Sequence, residues 1–302
     1  MPRSARVLGA TALAAALTSA LTAFPPPADA NAPAATRPTS VAQTPVARRT
    51  PPTASVHTTR HLTVARGPHA VPSTGGLRLA PLARGPLTGR TIVVDPGHNG
   101  RRSRVNDRLV PAGGGRTKPC NTSGTASRSG ASEHAFTWNL ANRTATELRR
   151  RGATVVLTRP NDRGVGPCVD ERAAIGNRAR ADLVLSIHAD GNTSRRARGF
   201  HIITSTRMTG GPAAQRASTR YAMRVRTAFA RTGMPRSTYL GRGTALTPRT
   251  DIAGLNLSRR PAIMLEAGNM RHPTDAALLA KPSFRAKAAR LLADATQQTL
   301  RR

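Results

Sequence analysis

Residues Thr91 to Gly100, "TIVVDPGHNG", begin as a strand and end with a histidine where the strand must stop. Thr91, Ile92, Val93 and Val94 are all β-branched and favour a pleated, packed backbone. Asp95, Pro96 and Gly97 then break the run and set His98 on the rim. "DLVLSIHADGN" repeats the device: 183–187 reads as a buried strand with His188 at its carboxyl end. Further strands are expected at 153–158, 199–204 and 262–265, and helices at 132–151, 169–180, 213–231, 274–279 and 283–300. Strand alternating with helix predicts an α/β fold, a single domain over 88–302 whose mostly parallel sheet is flanked by helices. Ligands of such sheets collect at the carboxyl ends of the strands. Two histidines leaving core strands at one edge therefore point to a metal site there.

A carboxylate is the natural third ligand, and the chain has only four glutamates. Glu147 is flanked by Arg143 and Arg151 and reads as a surface pair; Glu171 reads as an acid in a first helical turn. Glu133 follows Ser132, a plausible N-cap, and shares the apolar face of its helix with Phe136, Leu140 and Leu148. An inward carboxylate needs a cation or donors, because burying it bare is costly. Glu266 ends the strand 262–265 at the same expected rim. Two histidines and one glutamate can hold zinc with an open fourth position, where water acquires a pKa of about 7. The remaining carboxylate could then move the proton to a leaving amine. His201 and His272 are spare imidazoles that such a site does not require.

Four blocks, "TIVVDPGHNG", "SEHAFTWNLA", "TRPNDRGVGPCVDERAAIGNRARADLVLSIHAD" and "RPAIMLEAGNMRHPTDAALL", resemble the zinc-dependent N-acetylmuramoyl-L-alanine amidases of the Amidase_3 type, most closely the compact actinobacterial members. The likeness runs from Thr91 to the C-terminus with the blocks in the family's order. It implies His98, Glu133 and His188 as ligands of one zinc ion and Glu266 as the catalytic carboxylate. It also implies a structural arginine at Arg172, and cleavage of the amide between N-acetylmuramic acid and L-alanine of peptidoglycan stem peptides. Asn99, where glycine is usual, and Asp190, where asparagine is frequent, depart from the pattern without touching those four positions. Another zinc peptidase acting on peptidoglycan peptides is the main alternative. A non-enzymatic envelope-binding protein of the same fold is the second, and the four intact chemical positions argue against it.

Before this region the chain reads differently. Arg3 and Arg6, an apolar run from Val7 to Phe24 and the site Ala28-Asp29-Ala30 have the layout of a secretory signal peptide over 1–30. Residues 31–87 are rich in Pro, Ala and Thr, hold seven arginines and no acid, and read as a disordered linker. No apolar span after the signal is long enough for a transmembrane anchor. Of the 302 residues, 47 are basic and 14 acidic, a net charge of +33. Export argues against nucleic acid as the partner, leaving peptidoglycan or its muropeptide fragments and charge attraction to anionic wall polymers. Cys120 and Cys168, the two cysteines, are expected to form a disulfide in an exported protein. It would pin the Gly-, Ser- and Arg-rich stretch 99–131, which otherwise reads as a substrate-facing flap.

Overall fold

The computed structural model describes residues 75–301. The expected signal peptide and linker residues 31–74 lie outside the described residues. Nine strands and six α-helices follow in chain order: β1 (Leu77–Leu79), β2 (Thr91–Pro96), β3 (Leu109–Gly113), β4 (Arg116–Pro119), α1 (Glu133–Arg150), β5 (Thr154–Leu157), α2 (Val169–Arg178), β6 (Leu183–Asp190), β7 (His201–Ser205), α3 (Gly211–Ala230), β8 (Leu246–Arg249), α4 (Ala253–Asn256), β9 (Ala262–Asn269), α5 (Pro273–Ala280) and α6 (Pro282–Leu300). Seven strands form one sheet in the order β1-β5-β2-β6-β9-β7-β8. Its centre, β5-β2-β6-β9, is parallel throughout. On one edge β7 runs antiparallel to β9 and carries β8 beside it; on the other, β1 runs antiparallel to β5.

Strand alternation sorts the core into two halves. Ile92, Val94, Leu183, Leu185, Ile187, Ile263 and Leu265 face α1, α3 and α6 in the larger half. Val93, Val156, Val184 and Ala262 face the other way, onto Ile175 of α2 and Leu255 of α4. Polar residues of the central strands continue this second face: Asp95 lies two residues after Val93, Ser186 and His188 two and four after Val184, and Glu266 two after Met264. Period-two geometry therefore delivers the chemistry to one side of the sheet at its carboxyl edge.

The sequence reading differs from the structure in several places. The strands expected at 183–187 and 262–265 run on to Asp190 and Asn269, so His188 and Glu266 lie within β6 and β9 rather than ending them, and β8 and α4 are not among the expected elements. Residues 77–79, expected in the linker, pair with β5, and Leu87 is fully buried, so the folded unit begins before residue 88. The stretch 99–131 contains the hairpin β3–β4, and the Cys120–Cys168 disulfide ties its end to the start of α2. Ser132 occupies the N-cap position of α1 without capping through its side chain. Glu147 pairs with Arg150, one turn along the helix, in place of Arg143 or Arg151. Among the described residues no helix is long and apolar enough to cross a membrane.

Candidate active site

His98 leaves β2 in the left-handed region, φ 60°, a conformation uncommon for residues other than glycine. Its surroundings hold it there. Arg172 of α2, itself buried, donates to the His98 carbonyl at 2.7 Å, to the Pro96 carbonyl at 2.7 Å and to the Asn99 side-chain oxygen at 2.7 Å. Asn99, where the resemblance leads one to expect glycine, also donates to the Gly166 carbonyl and so serves as a strut for the loop that carries His98. Buried Arg159 adds a bond to the Pro96 carbonyl and one to the His134 carbonyl. The structural role expected of Arg172 is thus visible in its contacts.

Behind the loop, Asp95 accepts from Arg172 (2.6 Å), Thr158 (2.5 Å) and Ser186 (2.6 Å). Burial opposes its ionisation, yet the arginine charge and the two hydroxyl bonds hold the carboxyl down at about 2.

His98, Glu133 and His188 meet at one point. His98 Nε2 lies 3.0 Å from Glu133 Oε2, His188 Nδ1 3.1 Å from Glu133 Oε1, and the two ring nitrogens 3.2 Å from each other. The other ring nitrogen of His98, Nδ1, sits 2.9 Å from the Thr122 carbonyl. Nδ1 therefore carries the proton, and the Nε2 lone pair points inward. Four ligands on an ion with bonds near 2.1 Å sit roughly 3.4 Å apart along the edges of a tetrahedron. One ligand atom from each of the three residues lies within 4.8 Å of the other two, close enough for the group to hold a divalent metal with room for a fourth ligand.

Glu133 is steadied from behind: the backbone N–H groups of Thr125 (2.9 Å) and Ala189 (3.0 Å) donate to its carboxylate. Burial would raise its pKa, but His188 and His98 in their protonated form bond to the carboxylate and hold it well below the usual range; the same ring nitrogens offer lone pairs to a cation once they lose that proton. Two glycines permit this close packing. A Cβ at Gly97 would stand 2.3 Å from the His188 ring, and one at Gly124 would press against His98 and Glu133.

Glu266 lies on β9 directly across from His188 in the parallel register. It makes no part of the three-residue cluster. Its Oε2 is covered and has no hydrogen-bond partner among the described residues. Burial first, then the negative charges of Glu133 and Asp190, push its pKa well above the ordinary value, against a smaller lowering by Arg249. A carboxyl poised in this way can take and return a proton. These groups open into a cavity of about 360 Å³, whose further wall includes Lys118 and Pro119 from the hairpin, Leu255 of α4 and Met264. The stretch 99–131 is thus both pinned by its disulfide and part of the cavity wall.

Sequence reasoning missed the environment of Glu266. His201, set aside as spare, sits opposite Glu266 in the antiparallel register of β7 and β9. Tyr239 donates to Asp190 at 2.7 Å beside it. The sequence offered no signal for either, because the reversal of β7 against β9 is a non-local pairing.

Comparison with known proteins agrees with this geometry. The family model Amidase_3, N-acetylmuramoyl-L-alanine amidase, matches residues 92–298. The chain is 40% identical over 210 residues to the N-acetylmuramoyl-L-alanine amidase Rv3717 of Mycobacterium tuberculosis, covering 68% of this chain and 84% of that protein. It superposes on the N-acetylmuramyl-L-alanine amidase Ami1 of Mycobacterium smegmatis with a TM-score of 0.68 at 42% identity, covering 71% of this chain and 98% of the other. For the apo form of Ami1 from Mycobacterium abscessus the values are 0.67 and 38%, over 71% and 100% of the two chains. From its matched length and its relatives alike, the chain belongs to the N-acetylmuramoyl-L-alanine amidase family.

Proposed function

We propose that the protein is an exported, zinc-dependent hydrolase that cuts the amide between N-acetylmuramic acid and L-alanine of peptidoglycan stem peptides. The observation that carries the reading is the convergence of His98 Nε2, His188 Nδ1 and the Glu133 carboxylate within 3.0–3.2 Å of one another. Two imidazole lone pairs and a carboxylate buried together suit a zinc ion better than any set of protein partners.

Here His98, Glu133 and His188 would hold the metal; Arg172 and the Thr122 carbonyl fix His98, and the amides of Thr125 and Ala189 fix Glu133. When bound, zinc supplies Lewis-acid polarisation of a carbonyl and makes water acidic enough to ionise near neutral pH. Glu266 takes the proton of the attacking water and delivers it to the departing alanine nitrogen. Its raised pKa suits both halves of that transfer, since a strongly acidic carboxyl would accept the proton poorly. The amine then leaves as the free amino end of an intact stem peptide.

Export follows from the signal-peptide layout of residues 1–30 and places the site where peptidoglycan is. The net charge of +33 favours approach to anionic wall polymers and to the carboxylates of stem peptides. Wall binding should weaken as salt rises; binding indifferent to ionic strength would remove the charge account.

The test is digestion of a purified muropeptide with the zinc-loaded protein, followed by mass analysis. The reading requires a free stem peptide beginning at L-alanine together with an unsubstituted lactyl carboxylate. Fragments cut within the stem would make the protein a peptidase instead. An intact muropeptide under zinc-replete conditions would remove the proposed substrate.

A further inference from the structure

We propose that His201 is a positioning residue for Glu266, donating an imidazole N–H to its carboxylate while the proton is in transit. The inference rests on the reading of Glu266 given above, and its geometry comes from strand register. Glu266 is paired with His188 on one side and His201 on the other. Directly paired residues of neighbouring strands project from the same face with Cβ atoms about 5 Å apart, within reach of an imidazole and a carboxylate. The three side chains therefore stand in a row across β6, β9 and β7.

One atom of each group lacks a partner among the described residues. His201 is 1% exposed, its Nδ1 is covered and makes no hydrogen bond among the described residues, and Glu266 Oε2 is in the same condition. Buried polar atoms are rarely left so, and an unpaired imidazole nitrogen and an unpaired carboxylate oxygen on directly paired residues are most simply completed by each other. His201 has no place in the metal cluster, which among the described residues comprises His98, Glu133 and His188. Its ring is braced: Tyr239 packs edge-on at 6.0 Å between centroids and is itself tied to Asp190.

The protonation state of His201 suits the task. Burial lowers its pKa to about 4, with Arg249 adding to the lowering and Asp190 opposing it. The ring is neutral at working pH and offers one donor without bringing a positive charge that would quench the basicity of Glu266. The charged and titratable groups facing the pair are Glu133 from α1, His188 and Asp190 from β6, Tyr239 from the loop before β8, and Arg249 from β8.

The experiment compares His201→Phe, which keeps a ring and removes the donor, with His201→Gln, which keeps a donor and cannot titrate. With His201→Phe, kcat should fall roughly ten- to a hundredfold, the cost of a loosely held catalytic group. KM and zinc content should stay at their wild-type values, and the acid limb of the kcat profile should move to higher pH. With His201→Gln most of the lost kcat should return. Wild-type kcat in His201→Phe, equal impairment in both variants, or a loss of zinc content in place of kcat would each overturn the assignment. A readout independent of turnover and of how these variants fold is the imidazole nitrogen resonance of His201 in the otherwise native protein. It should shift on Glu266→Gln, and an unmoved resonance overturns the contact. If the wild-type protein cuts no muropeptide, the reading of the function fails, and the resonance still decides the contact.

Discussion

The two sides of the cavity are built in opposite ways. On the side of β2 and α1, each proposed ligand has a second bond that fixes it: His98 to the Thr122 carbonyl, Glu133 to the amides of Thr125 and Ala189, and the whole loop to Arg172. On the side of β9 and β7, Glu266 Oε2 and His201 Nδ1 are covered and have no partner among the described residues, which leaves them free to pair and part as a proton moves. A metal site gains from ligands whose directions are set in advance. A proton carrier has to exchange partners, so its hydrogen-bonding capacity must stay partly open. The contrast assigns rigidity to one corner and exchange to the other.

The largest effect should come from breaking the rigid corner. His188→Ala removes a ligand that touches both Glu133 and His98, so metal content should drop from about one ion per chain to near zero and turnover with it. Elemental analysis after dialysis checks this. A variant that retained stoichiometric zinc would show that the ligand set is drawn wrongly.

Next is the pin behind the hairpin. The Cys120–Cys168 bridge spans 48 residues of sequence, and the Cys120→Ser/Cys168→Ser protein should lose about 4 kcal/mol of stability on the chain-entropy model. Denaturant melts measure it. Because the proposed ligands His98 and Glu133 are held by Arg172 and by backbone groups rather than by the bridge, zinc should remain bound below the melting transition.

A smaller effect, with a definite pH dependence, belongs to Asp95. Its folded pKa is about 2 against an ordinary 3.8, so its contribution is fully present above about pH 4 and is lost as pH falls through about 2. The shift is worth about 2 kcal/mol. Asp95→Asn should therefore be less stable than wild type at neutral pH, and the gap should close between about pH 4 and pH 2. A gap unchanged down to pH 2 would mean that Asp95 is not held by Arg172, Thr158 and Ser186 as ions are.

Much of the rigid corner was legible in the sequence, because its parts are local. A β-branched run broken by Pro-Gly puts His98 on a rim, "SIHAD" repeats the design, and a helix opening on Glu133 aims it inward. The resemblance to the family separated the roles of Glu133 and Glu266, which periodicity had left open. What stayed hidden depends on pairing between distant segments. β1 is Leu-Arg-Leu, too short for its alternation to stand out, and exists because β5 offers it an edge. The hairpin β3–β4 lies in a stretch whose glycine and arginine content resembles a loop. His201 read as an idle histidine within a strand, since its neighbour Glu266 is 65 positions away and the antiparallel turn of β7 carries no local signature.

The division of labour between the two corners is tested most directly by Glu266→Gln, an almost isosteric change that removes the proton carrier and leaves the ligands alone. Zinc content and muropeptide turnover are measured on the same purified sample. The account predicts one zinc per chain, as in wild type, with turnover lowered by roughly 10²–10⁴-fold. Loss of zinc together with activity would make Glu266 part of the metal site, and undiminished turnover would put the proton transfer elsewhere.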